Sequence, residues 1–245
     1  MPTPSSYSIQ DRRPMGFRDL PPVKAAARGL IAVGATPNAI SVASVAFAAG
    51  AGASFFATAH TDGLPQRLLW LGGGLGVAAR ALCNVFDGIV AVETGRASPL
   101  GELYNEVPDR FSDVCYLAGL GYAVGGSPML GWLAACAALL TAYARAQAAL
   151  AERTAGLEGR QDFCGPMAKP HRMYLTMALC AWMATLAPAL PCPAWGPGQR
   201  WGLPAAVLAV IVAGSLLTTA RRLARAGRHL RAGAILAKEA AHGSR

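Results

Sequence analysis

Acids and amides stand in this chain where its apolar surroundings would not be expected to hold them. Asn84, Asp87, Gly88 and Ala91 fall three and four residues apart, and Gly101, Asn105, Asp109 and Asp113 repeat that spacing a short loop later. On an α-helix such residues share one face. Each set is therefore a stripe of oxygen ligands beside small residues. Carboxylate and amide oxygens suit hard cations such as Mg²⁺, Mn²⁺ or Ca²⁺, and no His/Cys cluster favours zinc. Two such stripes can share a metal, and the small residues let a neighbouring helix or a bulky phosphorylated ligand come close. Lys169, His171 and Arg172 belong to a basic loop. If that loop faces the same side, a diphosphate is a fitting ligand.

Each of these residues also has a plainer reading. Asp87 and Asp109 could pair with Arg80 or Arg110 inside the membrane. Glu106 precedes Arg110 by four residues, the favourable order for a helical ion pair. Asp113 could complete a hydrogen-bond network with Ser112 or a neighbouring helix, Asn84 and Asn105 could bond between helices, and Lys169, His171 and Arg172 could serve topology alone.

The elements that must position these residues follow from composition. The 245 residues are 53% hydrophobic and 14% charged, the mean hydropathy is +0.35, and the apolar residues form long runs. That combination describes an all-α polytopic membrane protein. Spans of about 20 apolar residues fit at 36–57, 67–91, 101–123, 129–147, 173–190 and 202–220, which predicts six transmembrane helices. Thr36-Pro37 supplies an N-cap followed by proline at the first helical position. His60 to Gln66, Gly125 to Pro128 and residues 191–200 read as external turns, with Trp195 and Trp201 in an interfacial belt. From Phe17 to Val33, apolar residues alternate with Arg18, Lys24 and Arg28, the pattern of an amphipathic helix on the interface whose start Pro21-Pro22 would break.

Positive charge sets the orientation. With a cytoplasmic N-terminus, nearly all Lys and Arg fall inside and only Arg67 and Arg200 outside, which places both acid stripes toward the cytoplasm. The net charge of +9 is thus a topology signal and an attraction to anionic lipids, and no basic, aromatic-interleaved face points to nucleic acid. The six cysteines lack CxxC spacing and read as small buried hydrophobes. No secretory signal peptide is expected, because the polar N-terminus lacks a short apolar core. Three parts are expected: a cytoplasmic segment 1–35, a six-helix domain 36–220 and a basic tail 221–245, read as a helix lying on the membrane surface. No repeat occurs at solenoid periods.

The pattern Asn84-x2-Asp87-Gly88-x2-Ala91, then Ser98-x2-Gly101-x3-Asn105-x3-Asp109-Arg110, resembles the DxxDGxxAR…GxxxDxxxD signature of the CDP-alcohol phosphatidyltransferases. Thr36-Pro37-Asn38, Tyr143-Ala144-Arg145-Ala146 and the six-helix layout extend the resemblance over most of the chain. It implies a homodimer that transfers a phosphoalcohol group from a CDP-linked lipid or alcohol donor to an alcohol acceptor, releasing CMP, with Mg²⁺ or Mn²⁺ as cofactor. It further implies that Asp87 and Asp109 bind metal and that Asp109 is the base. Asn84 and Asn105 are ligands in the same register, with Glu106 and Asp113 as further candidates. Asn38, Gly88, Ala91, Ser98 and Gly101 would accommodate the donor, and Arg145, Lys169 and Arg172 the acceptor's phosphate.

The departures fall at Asn84 and Asn105, where the signature has aspartates, and at Val92, where it has arginine; Arg96 is a candidate replacement. The chain is more similar to a branch with NxxDG paired to GxxxNExxD and a further Ser-Asp, met here as Ser112-Asp113. Two of four expected carboxylates are lost, which weakens a two-metal site. The competing class is therefore a degenerate or non-enzymatic protein that binds a nucleotide or lipid, or a transporter; against the last, the acids lie near one face and not at the midplane.

Overall fold

Thr36 and Pro37 begin the first long helix as their chemistry dictates. The Thr36 hydroxyl accepts a hydrogen bond from the Ala39 N–H at 3.2 Å, and Pro37 takes the first turn, where a missing N–H costs nothing. The computed structural model describes residues 20–96, 99–159, 161–187, 194–197 and 200–243. Among these, seven α-helices run in order: α1 (Pro21–Ala32), α2 (Pro37–Ala57), α3 (Gly63–Glu93), α4 (Pro99–Gly121), α5 (Pro128–Thr154), α6 (Lys169–Thr185) and α7 (Leu203–Gly243).

Several boundaries differ from the sequence expectation for physical reasons. Pro21-Pro22 opens α1 instead of breaking it, since proline's fixed φ suits a first turn; Phe17 and Arg18 lie outside the described residues. The turn expected at His60 to Gln66 is shorter, because α3 already starts at Gly63 with Pro65 in its first turn. Gln66 Nε2 ties that start down by donating to the Thr58 and Thr61 carbonyls at 2.9 and 2.6 Å. α7 passes position 220 without a break and runs 41 residues, about 60 Å at the α-helical rise, so the basic tail continues the last apolar helix. Cys83 and Cys180 are buried as expected, whereas Cys136 and Cys164 are exposed; Cys192 lies outside the described residues.

Among the described residues, four stretches are long and apolar enough to cross a membrane: Pro37–His60, Gly63–Glu93, Pro128–Thr154 and Leu203–Ile235. The chain is thus an all-α integral membrane protein. α4 carries the acids and α6 has 17 residues, so neither is among the four. α2 packs along α3 and α4, α5 along α4 and α7, and α3 along α6. The core is built on Phe55, Trp70, Val77, Tyr116, Leu117, Leu208 and Ile211, while Leu68, Leu75, Phe111, Trp132, Leu133 and Val210 face outward. α2 and α4 cross at Gly52 and Gly119, where a Cβ on Gly119 would sit 2.4 Å from the Gly52 Cα. Only glycine permits that approach. Trp195 and Trp201 meet edge to face at 5.0 Å beside a single backbone bridge.

Candidate active site

The helical spacing read from the sequence puts Asn84 on α3, and Asn105, Glu106 and Asp109 on α4, around one cavity of about 200 Å³. Arg110 of α4, Thr141 and Arg145 of α5, Phe163 of the α5–α6 loop, Lys169 and Arg172 of α6, and Arg222 of α7 complete its polar wall. Asp109 is held between two cations. Lys169 Nζ donates to Asp109 Oδ2, and Arg80 Nη2 donates to the Asp109 backbone carbonyl at 3.2 Å and lies 3.8 Å from Oδ1. Asp109 Oδ1 itself is buried with no hydrogen-bond partner.

Behind Asp109, the wholly buried Asp113 binds two guanidinium groups, accepting from Arg80 Nη2 at 2.7 Å and from Arg172 Nη2 at 3.0 Å. One carboxylate thereby locks α3, α4 and α6 together. Arg80 also lies 5.3 Å from the Tyr116 ring centroid, a cation–π contact that helps hold a charge away from water. Nearer the mouth, Glu106 accepts from Arg145 at 2.6 Å and from Arg110 at 2.8 Å. Arg145 also bonds Gln161 at 2.6 Å and covers the Phe163 ring.

Asp87 lies six residues before the end of α3, about 9 Å by helical rise, and is off the cavity wall. Ser41 of α2 donates to its Oδ2 at 2.9 Å, while Oδ1 is buried without a partner. Asp109 and Lys169 are near enough to act on its charge. Asn105 Oδ1 is likewise buried and unpartnered, as is the Asn84 amide nitrogen; the two ends of an amide are assigned by their partners, so turning the Asn84 amide presents oxygen instead.

These orphan atoms decide whether a divalent cation fits. Asp87 Oδ1, Asn105 Oδ1 and Asp109 Oδ1 are three buried oxygens without hydrogen bonds, each costing roughly 1–3 kcal/mol if left so. An all-oxygen set suits Mg²⁺ or Mn²⁺. Among the described residues no three His, Cys, Asp or Glu side chains gather as a metal cluster. Two carboxylates with amide oxygens fit one such ion, with ligand oxygens completing its shell.

The comparisons with known proteins bear on this geometry. The fold resembles that of phosphatidylinositol phosphate synthase. The enzyme from Mycobacterium tuberculosis solved with manganese and citrate superposes with a TM-score of 0.61 at 19% identity, over 83% of this chain and 88% of that one. Its structure with CDP-DAG bound gives 0.59 at 20% identity over 83% and 92%, and its apo form 0.56 at 19% over 81% and 93%. No family model and no curated protein matches the chain.

Of the residues singled out in the sequence, the cavity brings together Asn84, Asn105, Glu106, Asp109, Arg145, Lys169 and Arg172. Asp113 sits behind it, Asn38, His171 and Arg96 are exposed, and Gly88, Ala91 and Gly101 are not on its wall. Ser98 lies outside the described residues. Arg80 pairs with Asp113 and Asp109, and Arg110 with Glu106 at 2.8 Å and more distantly with Asp113 at 3.9 Å. Ser41, Thr141, Gln161 and Arg222 escaped the sequence reading. Ser41 is 46 positions from Asp87, and no spacing rule links them. Arg222 could have been noticed as an arginine one turn beyond Thr218 on the last apolar helix.

Proposed function

We propose that the chain is a divalent-metal-dependent CDP-alcohol phosphatidyltransferase of phospholipid biosynthesis, in the branch with asparagine at the first and third acidic positions. The observation that carries this reading is the set of orphan oxygens on Asp87, Asn105 and Asp109, beside a cation-rich cavity, on a fold shared with phosphatidylinositol phosphate synthase. In this reading all six long helices α2 to α7 span a bacterial plasma membrane, α1 lies on the cytoplasmic interface, and the basic end of α7 and both termini are cytoplasmic. The site then opens to the cytoplasm within the domain 36–220, in a homodimer.

The residues divide the task by position. Asp87 and Asp109, with Asn84 and Asn105, would hold Mg²⁺ or Mn²⁺, which would supply positive charge to neutralise the donor's diphosphate. Gly88, Ala91 and Gly101, with Asn38 and Ser98, leave room for the nucleotide, and Arg145 and Arg172 face the acceptor's phosphate. Glu106 and Asp113 act through their arginine partners. The acceptor oxygen bonds to the phosphorus that carries the donor alcohol, its proton goes to the Asp109 carboxylate, and the bond from that phosphorus to CMP breaks with the electron pair leaving on CMP. Positioning and charge neutralisation supply most of the acceleration in such transfers.

A second reading, a binder of nucleotide or lipid without turnover, has one observation in its favour. Lys169 occupies one of the two oxygens of the Asp109 carboxylate, on which transfer depends. Release of CMP from CDP-diacylglycerol by the reconstituted protein, assayed over a panel of acceptor alcohols, separates the two. Transfer requires that Asp87→Asn and Asp109→Asn abolish the release; a folded protein that never releases CMP is the binder.

A further inference from the structure

We infer that the Lys169 ammonium takes the place of a second divalent cation, so that this centre binds one Mg²⁺ or Mn²⁺ per chain. This deepens the metal-dependent reading above and rests on it. Lys169 is the first residue of α6, and its ammonium lies on Asp109 Oδ2 with the side chain 22% exposed. It is thus spent on a carboxylate at the cavity wall.

Its place is built by the loop before it. Gly165, at φ +142°, lies so close to α7 that a Cβ there would meet the Thr218 side chain at 2.3 Å. The Met167 N–H donates to Thr218 Oγ1 at 2.9 Å, and Arg222 Nε donates to the Cys164 carbonyl at 3.0 Å. The loop is therefore clamped to α7 on both sides of the glycine, and Lys169 leaves it at a fixed point.

Charge at the junction of α3, α4 and α6 supports the same count. Four carboxylates, Asp87, Glu106, Asp109 and Asp113, stand with four cations, Arg80, Arg110, Lys169 and Arg172, and Arg145 of α5 adds a fifth at Glu106. A junction whose cations already match or exceed its acids gains two further positive charges from one divalent ion, which a CDP-linked diphosphate, carrying two negative charges, cancels. A second ion would leave two positive charges uncompensated in a low-dielectric site, where such charges are strongly unfavourable. The amides Asn84 and Asn105 belong to the same balance, since carboxylates there would demand further positive charge. The free oxygens Asp87 Oδ1 and Asp109 Oδ1, on residues 3% and 6% exposed, are what remains for the single ion.

Mn²⁺ titration of the full-length protein in lipid nanodiscs, read by electron paramagnetic resonance and calorimetry without substrate, tests this. One Mn²⁺ per chain is expected for the wild type. Lys169→Gln removes a cation from a shared carboxylate and should tighten Mn²⁺ by about tenfold or more. Lys169→Arg, which keeps the charge, should leave both number and affinity near wild type. A lysine that only braced the fold would not tighten metal binding when lost. Two ions in the wild type, or affinity unchanged or weakened in Lys169→Gln while Lys169→Arg folds, overturns the inference and leaves the transferase reading standing. No Mn²⁺ bound by the folded wild type overturns the metal reading and this inference with it.

Discussion

Asp113→Asn is the substitution that most sharply probes how the site is held. The carboxylate is wholly buried and receives Arg80 at 2.7 Å and Arg172 at 3.0 Å, whose side chains are 0% and 2% exposed, so solvent screening offers no discount. An amide of the same shape keeps one acceptor and turns two N–H donors toward a guanidinium. Removing one partner of a buried charge pair costs about 3–5 kcal/mol, because the remaining charge stays buried and uncompensated. Against a total stability of roughly 5–15 kcal/mol, the variant should unfold at markedly lower denaturant. Unfolding in mixed micelles, followed by fluorescence of the buried Trp70, measures it. Replacing all three residues with apolar ones of similar volume (Asp113→Leu, Arg80→Met, Arg172→Met) should recover most of the loss, since no charge then remains to desolvate. A cost below about 1 kcal/mol for Asp113→Asn alone would refute this account of the junction.

Two further variants probe the helix crossing and the mouth of the cavity. Gly119→Ala forces a Cβ to within 2.4 Å of the Gly52 backbone and should cost about 1–3 kcal/mol by overpacking, seen as a lower thermal midpoint, whereas Gly50→Ala on open helix surface, with nothing within 4 Å, should not destabilise. Glu106 is 39% exposed in its pairs with Arg145 and Arg110, so Glu106→Gln should change stability by less than about 1 kcal/mol. Freeing Arg145 should instead shift the KM for a phosphate-bearing acceptor while kcat stays within about threefold in steady-state assays.

How much of this was legible in the sequence depended on whether a rule of spacing applied. Helical periodicity brought Asn84, Asn105 and Asp109 to one cavity, but it did not tell that Glu106, off their stripe, joins them or that Asp87 and Asp113, on the stripes, do not line it; Thr36-Pro37 marked a helix start that its cap bond bears out. Arg80 was readable as an intramembrane partner of an acid, but its choice of Asp113 depends on how α3 is rotated against α4, which no local pattern encodes. The same holds for Lys169: composition explains a basic loop, while its bond to Asp109 requires the loop's attachment to α7 through Thr218 and Arg222. That the basic tail from position 221 is helical was legible, since Ala, Leu and Arg are all good helix formers; that it continues the last apolar helix without a break was not, because the charge beginning at Arg221 marks the end of the apolar run and carries no signal about the helix axis. Ser41 beside Asp87 joins positions that only tertiary packing brings together.

The central claim is transfer chemistry at Asp87 and Asp109, and metal-dependent CMP release tests it most directly. Protein reconstituted in lipid with CDP-diacylglycerol and an acceptor alcohol should release CMP with Mg²⁺ or Mn²⁺ present, stop when the metal is chelated, and be inactive as folded Asp87→Asn or Asp109→Asn. Release that persists under chelation or in either variant would contradict the account.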